Sequence, residues 1–594
     1  MSKATRFTGK IPTFDVPSFR FSFQSSAHKP PAQKNSTNGE TSWYSDWKWL
    51  SPFSSSVTLD EDRAVLPPLP ERPPVYTYYE GDASKDTDTL HVDKELLRTW
   101  QRAWWAHGFK PVILSHAEAM NNPLYQSLQG KGIPPALEFE FSRWLAWGHM
   151  GTGLLSSWRC VPMAPYDDSL LGYLRRGQYE NLLRFEGIGA GLFAGEEAKI
   201  NNAIKEALDN LQLHTFTTIT EAISPDRFQI EEPTSIAHYD STTITAKYPT
   251  LAQQLEVSPN KGRLALNNLI NAHLQNVFSN TFHNGLAVLK PLPAHTSSLV
   301  DPALHLAKLL AECPDSPVQS SCPPNRPKCS PCVGSKLPVT TPSTFRNAST
   351  IFTIGTVPHP YTLIALNNLT EAITVSHIRR NTDRDQWLGE VTARLLGTAR
   401  GGPSRVMGIK DAIASECGRS RSLWFTVEHF PASLTPPPDE VKSPTVETHK
   451  TQEKLTPLPE EWLEDLDWHF GFPIPRTTIS HGEATPPVPG PEREKGIQGL
   501  PADRKKSSYE PDPPTEKQRA MEVKILDMAR ETVNSKDQRI NRIKDVAEAW
   551  NLADTEAWKF VRAFRARAMV ERRQWEEEEA AFGGVKGKSR WWGT

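Results

Sequence analysis

Apolar positions switch repeatedly between strand spacing and helix spacing in the early part of the chain. Residues 75–79 are β-branched or aromatic, which predicts a strand. Apolar residues between 96 and 104 then recur at helical spacing, with Asp93 as the expected cap and Gly108 as the expected stop. Residues 111–114 predict a second strand, residues 139–150 a second helix, and residues 154–163 a third extended segment. This alternation predicts a parallel α/β sheet.

Changes in composition divide the rest of the chain. The expected parts are a disordered N-terminal segment at 1–73, an α/β domain at 74–312, a second ordered, cysteine-containing region at 313–430, a Pro-rich linker at 431–515 and a charged helical tail at 516–582. An aromatic patch at 462–472 interrupts the linker, and we expect it to dock onto a domain. The tail is predicted to be a detached helical hairpin, for which binding to a protein partner or packing as a hairpin is favoured over DNA binding.

Net charge and hydropathy argue against a nucleic-acid partner, an anionic-membrane partner and a membrane-spanning segment. Lys and Arg total 67 and Asp and Glu total 69, so the net charge of −2 argues against a nucleic-acid or anionic-membrane partner. No apolar run approaches the roughly 20 residues of a membrane span, so no transmembrane segment is expected. The basic, Ser-rich N-terminus fits a disordered tail better than a mitochondrial presequence.

A series of short motifs between residues 75 and 213 carries the most specific signal. Residues 141–147 place Arg143 beside a tryptophan in a helix, residues 153–163 run from a glycine and two leucines to Val-Pro-Met, and residues 188–195 are glycine-rich. This order resembles the GT-A glycosyltransferases that carry an acid-any-acid motif, including the mannosyl- and capsular-polysaccharide-type transferases. The resemblance implies a GT-A-like, Rossmann-like nucleotide-sugar domain.

The same resemblance implies a donor and an acceptor. The donor would be a UDP- or GDP-sugar, and the acceptor a glycan or glycoconjugate. By position in the motifs, the donor site would be lined by Arg143, Ser157, Arg159, Gly189 and Gly191.

The chain departs from the family where the metal should be held. Aligned on the Val-Pro-Met end of the motif, the two expected aspartates are Ser157 and Arg159. Neither replaces a hard anionic ligand, so Mg²⁺ or Mn²⁺ is not expected there. Three interpretations remain: an inactive pseudo-glycosyltransferase that acts as a scaffold, a metal-independent enzyme in which Arg159 neutralises the diphosphate, or metal binding by Asp167 and Asp168. The last is the least favoured, because adjacent aspartates in a loop more often cap a helix.

Two further residues are candidates by position. Glu186 precedes the glycine-rich strand and could act as a base toward the acceptor, although a surface carboxylate is the simpler interpretation. His238 lies where such folds place a late metal-binding histidine, but without the aspartates a structural role is favoured.

The cysteines allow three interpretations. Cys313, Cys322, Cys329 and Cys332 have the spacing Cys-x8-Cys-x6-Cys-x2-Cys, which fits zinc, two disulfides or free structural thiols, with zinc favoured. Disulfides and the sequons at Asn35, Asn347 and Asn368 would both suit a Golgi or secretory lumen, which we favour over mitochondria and cytosol.

Overall fold

The computed structural model describes only part of the chain. The described residues are 28, 70–80, 86–289, 301–332, 337–342, 348–357, 413, 421–426, 458, 460–476, 560–561, 564–565, 568–580 and 582. Over these residues the protein is mixed α/β. Among them, no helix is both long enough and apolar enough to cross a membrane.

Strands and helices alternate along the described residues. The strands are β1 (Pro74–Tyr78), β2 (Lys110–Leu114), β3 (Gly153–Ser156), β4 (Cys160–Pro162), β5 (Leu182–Phe185), β6 (Leu192–Gly195), β7 (Phe228–Glu231), β8 (Ile236–His238), β9 (Leu286–Leu289), β10 (Val339–Thr340), β11 (Phe352–Val357) and β12 (Ser422–Thr426). The helices are α1 (Thr87–Ala106), α2 (His116–Met120), α3 (Tyr125–Leu128), α4 (Pro135–Met150), α5 (Ser169–Arg175), α6 (Glu197–Asp209), α7 (Ser241–Lys247), α8 (Pro249–Val257), α9 (Pro259–Thr281), α10 (Asp301–Ala311) and α11 (Glu460–Phe470). Residues 568–580 are also helical and are called the C-terminal helix below.

The largest sheet has the order β2-β1-β3-β6-β5-β7. β1 pairs in parallel with β2 and β3, as the alternating pattern predicted. β6 is antiparallel to both β3 and β5, so the sheet is mixed and the prediction of a purely parallel sheet was too simple. The reason is local: the short loop 186–191 joins β5 directly to β6, and a short connection permits only antiparallel pairing. The carboxyl ends of β1, β3 and β5 therefore lie at one edge.

Helices cover both faces of this sheet. Val75 and Leu154 point into a core formed with α1 and α9, whereas the next residues, Tyr76 and Leu155, point into a core formed with α4 and α6. This alternation follows from the two-residue period of a strand. Because both faces are buried, the strands read as continuous apolar runs, which is why their sequence signal was clear.

Two smaller sheets complete the architecture. β10, β9, β11 and β12 form a parallel sheet in that order, and α10 lies between β9 and β10 in the sequence. β4 pairs with β8 in a two-stranded antiparallel sheet. The predicted extended segment 154–163 is therefore divided between two sheets, and the turn between them consists of Ser157, Trp158 and Arg159.

The ends of α1 test the expected helix signals. The helix starts at Thr87, and the side chain of Asp86 accepts a hydrogen bond from the Thr89 amide, so Asp93 is not the cap. Asp93 lies inside the helix and is only 2% exposed. The stop was predicted correctly: Gly108 follows the end of the helix with a φ of 87°, a conformation that favours glycine.

The C-terminal helix is not detached from the α/β domain. Trp575 is buried between Trp105 of α1 and Trp468 of α11, with ring centroids 4.9 Å and 5.3 Å away. Its indole nitrogen donates a hydrogen bond to the Pro111 carbonyl oxygen at 3.0 Å. The aromatic patch at 462–472 also packs against the domain, since α11 contacts α1. The C-terminal helix, which is the longest described part of the tail, and the patch thus belong to the folded body.

The cysteines form two nested disulfides, Cys313–Cys332 and Cys322–Cys329. Because both bridges use thiols that zinc would need as thiolates, the pairing argues against the zinc alternative at this cluster. The side chain of Asn280 and the backbone of Ser330 hydrogen-bond to each other, which ties the bridged segment to α9.

Several sequence features lie outside the described residues. These are the three sequons, at Asn35, Asn347 and Asn368, and most of the predicted linker at 431–515.

Candidate functional site

The turn after β3 brings together the residues that the motif comparison selected. The Ser157 amide donates a hydrogen bond to the Gly191 carbonyl oxygen at 2.7 Å, so the turn lies directly beside the glycine loop before β6. Within the turn, the Cys160 amide donates to the Ser157 carbonyl oxygen at 2.8 Å, and the Arg159 amide to the Ser157 hydroxyl at 3.3 Å.

Two buried tryptophans of α1 fix the position of this turn. The indole nitrogen of Trp100 donates to the Ser156 hydroxyl at 3.2 Å, and that of Trp104 donates to the Cys160 carbonyl oxygen at 3.1 Å. Both rings have no exposed surface. Since an indole buried in a core rarely changes rotamer, the turn is held on both sides by the packing of α1.

The glycine loop, residues 187–191, forms the next wall. Arg143 of α4 donates to the Ala190 carbonyl oxygen at 2.8 Å. Gly189 has a φ of 53°, which a residue with a side chain adopts only at a cost. A Cβ on Gly191 would lie 2.9 Å from the His238 Nδ1 atom, so glycine is required there by close approach. The structure thus places Arg143, Ser157 and Gly191 together.

Arg159 is a half-buried cation, and its guanidinium makes no hydrogen bond or ion pair with any described residue. Its recorded contact is with the neighbouring Trp158 ring, 5.1 Å from the guanidinium carbon. Burial is the main cause that lowers its pKa, and the positive charge of Arg263 lowers it further, against the opposing charges of Asp93 and Asp240.

Arg263 belongs to a buried network that the sequence did not reveal. It donates to the Asp93 carboxylate at 3.2 Å, and the Tyr79 hydroxyl donates to the other carboxylate oxygen at 3.0 Å. Tyr79 directly follows β1, so this network stands at the same sheet edge as the turn after β3. The one sequence feature that could indicate this network is Asp93, an acidic residue at a position of α1 that faces the core, and the same residue also fits the pattern of a helix cap.

His238 lies at the end of β8, opposite Cys160 of β4. Its Nδ1 atom is buried and has no hydrogen-bond partner among the described residues. Burial lowers its pKa to about 4, and the charges of Arg143 and Arg159 act in the same direction while Asp240 opposes them. The imidazole is therefore neutral at pH 7. Asp240 itself caps α7 by accepting a hydrogen bond from the Thr243 amide at 2.7 Å.

Two candidates stand apart from this group. Asp168 caps α5 through the Leu170 and Leu171 amides, at 3.0 Å and 3.3 Å, and none of its recorded contacts is with Ser157 or Arg159. Its neighbour Asp167 forms an ion pair with Arg421 at 2.6 Å.

Glu186 is exposed and immediately follows β5. It lies at the same sheet edge as Ser157, two strands away, which corresponds to roughly 10 Å at the usual strand spacing.

The family model for a domain of unknown function, DUF8765, matches residues 37–435 and 444–593. The chain belongs to this family. No curated protein matches it, and no solved structure does either. The DUF8765 match spans the large sheet, the disulfide-bonded segment and the C-terminal helix. All residues of the candidate site therefore lie within the family model.

The donor atoms at the turn do not fit a divalent metal. Mg²⁺ and Mn²⁺ take carboxylate oxygens, whereas the two positions present a hydroxyl and a guanidinium. Over the described part of the chain, no group of three or more His, Cys, Asp or Glu side chains could hold a metal ion. What the arrangement offers is the unpaired positive charge of Arg159 beside a glycine loop. Arg263 and Arg143 are near it but are paired with Asp93 at 3.2 Å and with Glu140 at 3.6 Å. Such a site is suited to an anion.

Proposed function

We propose that this chain is a glycosyltransferase-like protein whose sheet-edge crevice binds the diphosphate of a nucleotide-sugar donor through arginine instead of a metal. The observation that carries this proposal is the unpaired guanidinium of Arg159 at the position of the second expected aspartate.

The electrostatics of Arg159 favour an anionic ligand. A charge taken out of water without a partner is costly, and a second positive charge nearby adds repulsion. Arg263 supplies that second charge, and its own partner Asp93 is already engaged. A diphosphate between the two guanidiniums would relieve both costs, because guanidinium binds phosphate oxygens bidentately.

The architecture supports a GT-A-like fold for the domain at 74–312. Helices cover both faces of one sheet, and the cluster lies beyond the carboxyl ends of β1 and β3. In open α/β sheets this edge is where nucleotides bind. Fold alone does not establish an activity, so the transferase step rests on the site.

The transfer would proceed with defined roles for this chain's residues. The acceptor hydroxyl oxygen forms a bond to the anomeric carbon, the bond from that carbon to the diphosphate oxygen breaks, and the diphosphate leaves with the electron pair. Arg159 and Arg263 hold the charge that develops on it. Glu186 is our candidate to take the proton of the acceptor hydroxyl, since it lies at the same edge and is exposed to an incoming glycan.

The disulfides add a proposal on location. Disulfides persist in oxidising compartments, so the two nested bridges support a Golgi or secretory lumen, where nucleotide sugars and glycan acceptors meet.

Ligand-dependent melting of the full chain tests the proposal. UDP and GDP, each with EDTA or with Mn²⁺, are added to the wild type, to Arg159→Ala and to Arg176→Ala, a control arginine on the exposed end of α5. We expect one nucleotide to raise the melting temperature by on the order of 5 °C at saturation, equally in EDTA and in Mn²⁺. The rise should vanish in Arg159→Ala and persist in the control.

The outcomes separate the interpretations. No shift with any nucleotide contradicts the proposal, and a shift that needs Mn²⁺ contradicts its metal-independent form. Where a nucleotide binds, incubation with the matching nucleotide sugars distinguishes transfer from the alternative, an inactive pseudo-glycosyltransferase, which would bind but release no diphosphate.

A further inference from the structure

A cavity of about 410 Å³ lies at the carboxyl-terminal ends of α1 and α9, away from the candidate site. Trp105 lines it, whereas Asp93 of the candidate site is twelve positions earlier on the same helix, or roughly 18 Å along its axis. Leu274 and Phe278 of α9 line it as well, well beyond Arg263. The cavity is therefore separate from the proposed donor site. Its size falls within the roughly 300–1,000 Å³ of small-molecule pockets.

One wall of this cavity is a cluster of phenylalanines. Phe278 is the central ring, with its centroid 4.9 Å from that of Phe282, 5.3 Å from Phe352 and 5.5 Å from Phe470. Phe472 also joins the cluster, at 5.8 Å. All of these residues line the cavity. Such a wall offers dispersion and no hydrogen bonds, so it suits an apolar group.

Arginines from several parts of the chain line the rest of the cavity. Arg72 pairs with Glu571 at 2.9 Å, Arg421 pairs with Asp167 at 2.6 Å, and Arg572 pairs with Asp465. These three guanidiniums are therefore already neutralised.

Arg565 differs from these three. It makes no ion pair or hydrogen bond with any described residue, and its Nε atom is buried without a partner. Its guanidinium stacks on Phe425, with 4.4 Å from the guanidinium carbon to the ring centroid. Burial lowers the pKa of Arg565 to about 10, so the side chain remains a cation at pH 7. The charge of Asp465 acts on Arg565 only from a distance, since that carboxylate pairs with Arg572, so a half-buried cation beside the cavity is left for an anionic ligand.

We propose that this cavity binds a single-chain amphiphile with an anionic head group, its tail against the phenylalanine cluster and its head at Arg565. An apolar wall together with an unpaired arginine argues against two simpler classes of ligand. A free inorganic anion would leave the phenylalanine wall uncovered, and a neutral lipid would leave Arg565 unpaired. Carboxylate and phosphate monoester heads share the required chemistry.

Calorimetric titration of the full chain tests this site. The probes are dodecanoate, dodecyl phosphate, dodecanol and inorganic phosphate, each below its aggregation limit. We expect both anionic amphiphiles to bind at least about tenfold more tightly than dodecanol, because a hydrogen bond to a charged group is lost in the alcohol. Inorganic phosphate alone should not bind measurably. The tighter of the two anionic probes identifies the natural head group.

Variants assign the binding to this cavity. Arg565→Gln should weaken both anionic probes by on the order of 10- to 100-fold and leave dodecanol unchanged. Arg573→Gln, an exposed arginine on the same helical segment, is the matched control and should bind as the wild type does. Ala568→Trp, which fills a lining position, should abolish binding of all the amphiphiles, and melting curves show whether each variant is folded.

Three results would overturn the proposal: equal affinity for dodecanol and the anionic probes, unchanged binding in folded Arg565→Gln, or no binding of any amphiphile. None of these depends on a nucleotide, so the outcome is independent of the donor-site experiment.

Discussion

Arg263 forms an ion pair with the buried Asp93 at 3.2 Å, whereas Arg159, whose pKa is lowered by the charge of Arg263, makes no ion pair with any described residue. The two cations come from a turn after a strand and from a long helix that are distant in sequence. Two positive charges held near each other are stable only where an anion or solvent compensates them. For this reason the turn that lacks the two expected aspartates is a candidate anion site.

Restoring the two missing acids should create a metal site. In the double variant Ser157→Asp/Arg159→Asp, two carboxylates would stand in the turn before β4, whose Cys160 pairs with His238, and oxygen and imidazole ligands both suit Mn²⁺. We expect Mn²⁺ to raise the melting temperature of this variant by several degrees and to leave the wild type unchanged. Scanning calorimetry with Mn²⁺, and with EDTA as the control, measures this. An Mn²⁺-dependent shift in the wild type would contradict our account of the site.

Acid should destabilise the fold through His273. This side chain is buried, with its ring nitrogens bonded to the Tyr239 hydroxyl at 2.7 Å and the Ser321 hydroxyl at 2.9 Å. Burial lowers its pKa from 6.5 to about 3, so the unfolded chain takes up a proton near pH 6.5 and the folded chain does not. The stabilisation is complete above pH 6.5 and is lost, at about 1.4 kcal/mol per pH unit, as the pH falls toward 3.

Urea unfolding of the wild type and of His273→Gln at several pH values between 6.5 and 4.5 measures this slope. The variant should be less stable at neutral pH. Its free energy of unfolding should also fall less steeply with acidification, by about 1.4 kcal/mol per pH unit, which corresponds to one proton. If the free energy of unfolding falls with pH at the same slope in both proteins, His273 is not the cause of the acid destabilisation.

Loss of Trp575 should release the C-terminal helix. The indole is 3% exposed, and truncating a buried tryptophan costs about 3–5 kcal/mol. We expect Trp575→Ala to raise hydrogen exchange at residues 568–580 and along α11, while the large sheet stays protected. Gln574→Ala, an exposed neighbour, is the control. Unchanged exchange in Trp575→Ala would mean that the helix is held by other contacts.

The two disulfides should contribute unequally. The outer bridge spans 19 residues and the inner bridge spans 7, so the unfolded chain gains more entropy when the outer one is removed. Replacing both cysteines of a bridge by alanine should therefore cost roughly 1 kcal/mol more for Cys313 and Cys332 than for Cys322 and Cys329. Chemical denaturation gives the difference, with each pair as the control for the other. Zinc in the purified protein, measured by elemental analysis, would contradict the disulfide pairing.

Local features of the chain were predicted well where a single physical cause decided them. The helix around Leu96–Trp104 and its stop at Gly108 follow from apolar spacing and from the preference of a positive φ for glycine. Asp93 was misread because a capping residue and a buried ion-pair residue look alike in sequence. Its partner Arg263 lies in another helix, which no local pattern indicates.

Local spacing was enough to predict the order of the first strands and helices, the helix stop at Gly108 and the absence of an acid pair at the turn after β3. Each of these depends on neighbours within a few residues. The pairing of the cysteines with each other, the ion pair between Arg263 and Asp93, and the packing of Trp575 against Trp105 follow only from the tertiary fold. These depend on which distant segments pack together, and packing is set by the shape of the whole core, which local spacing does not encode.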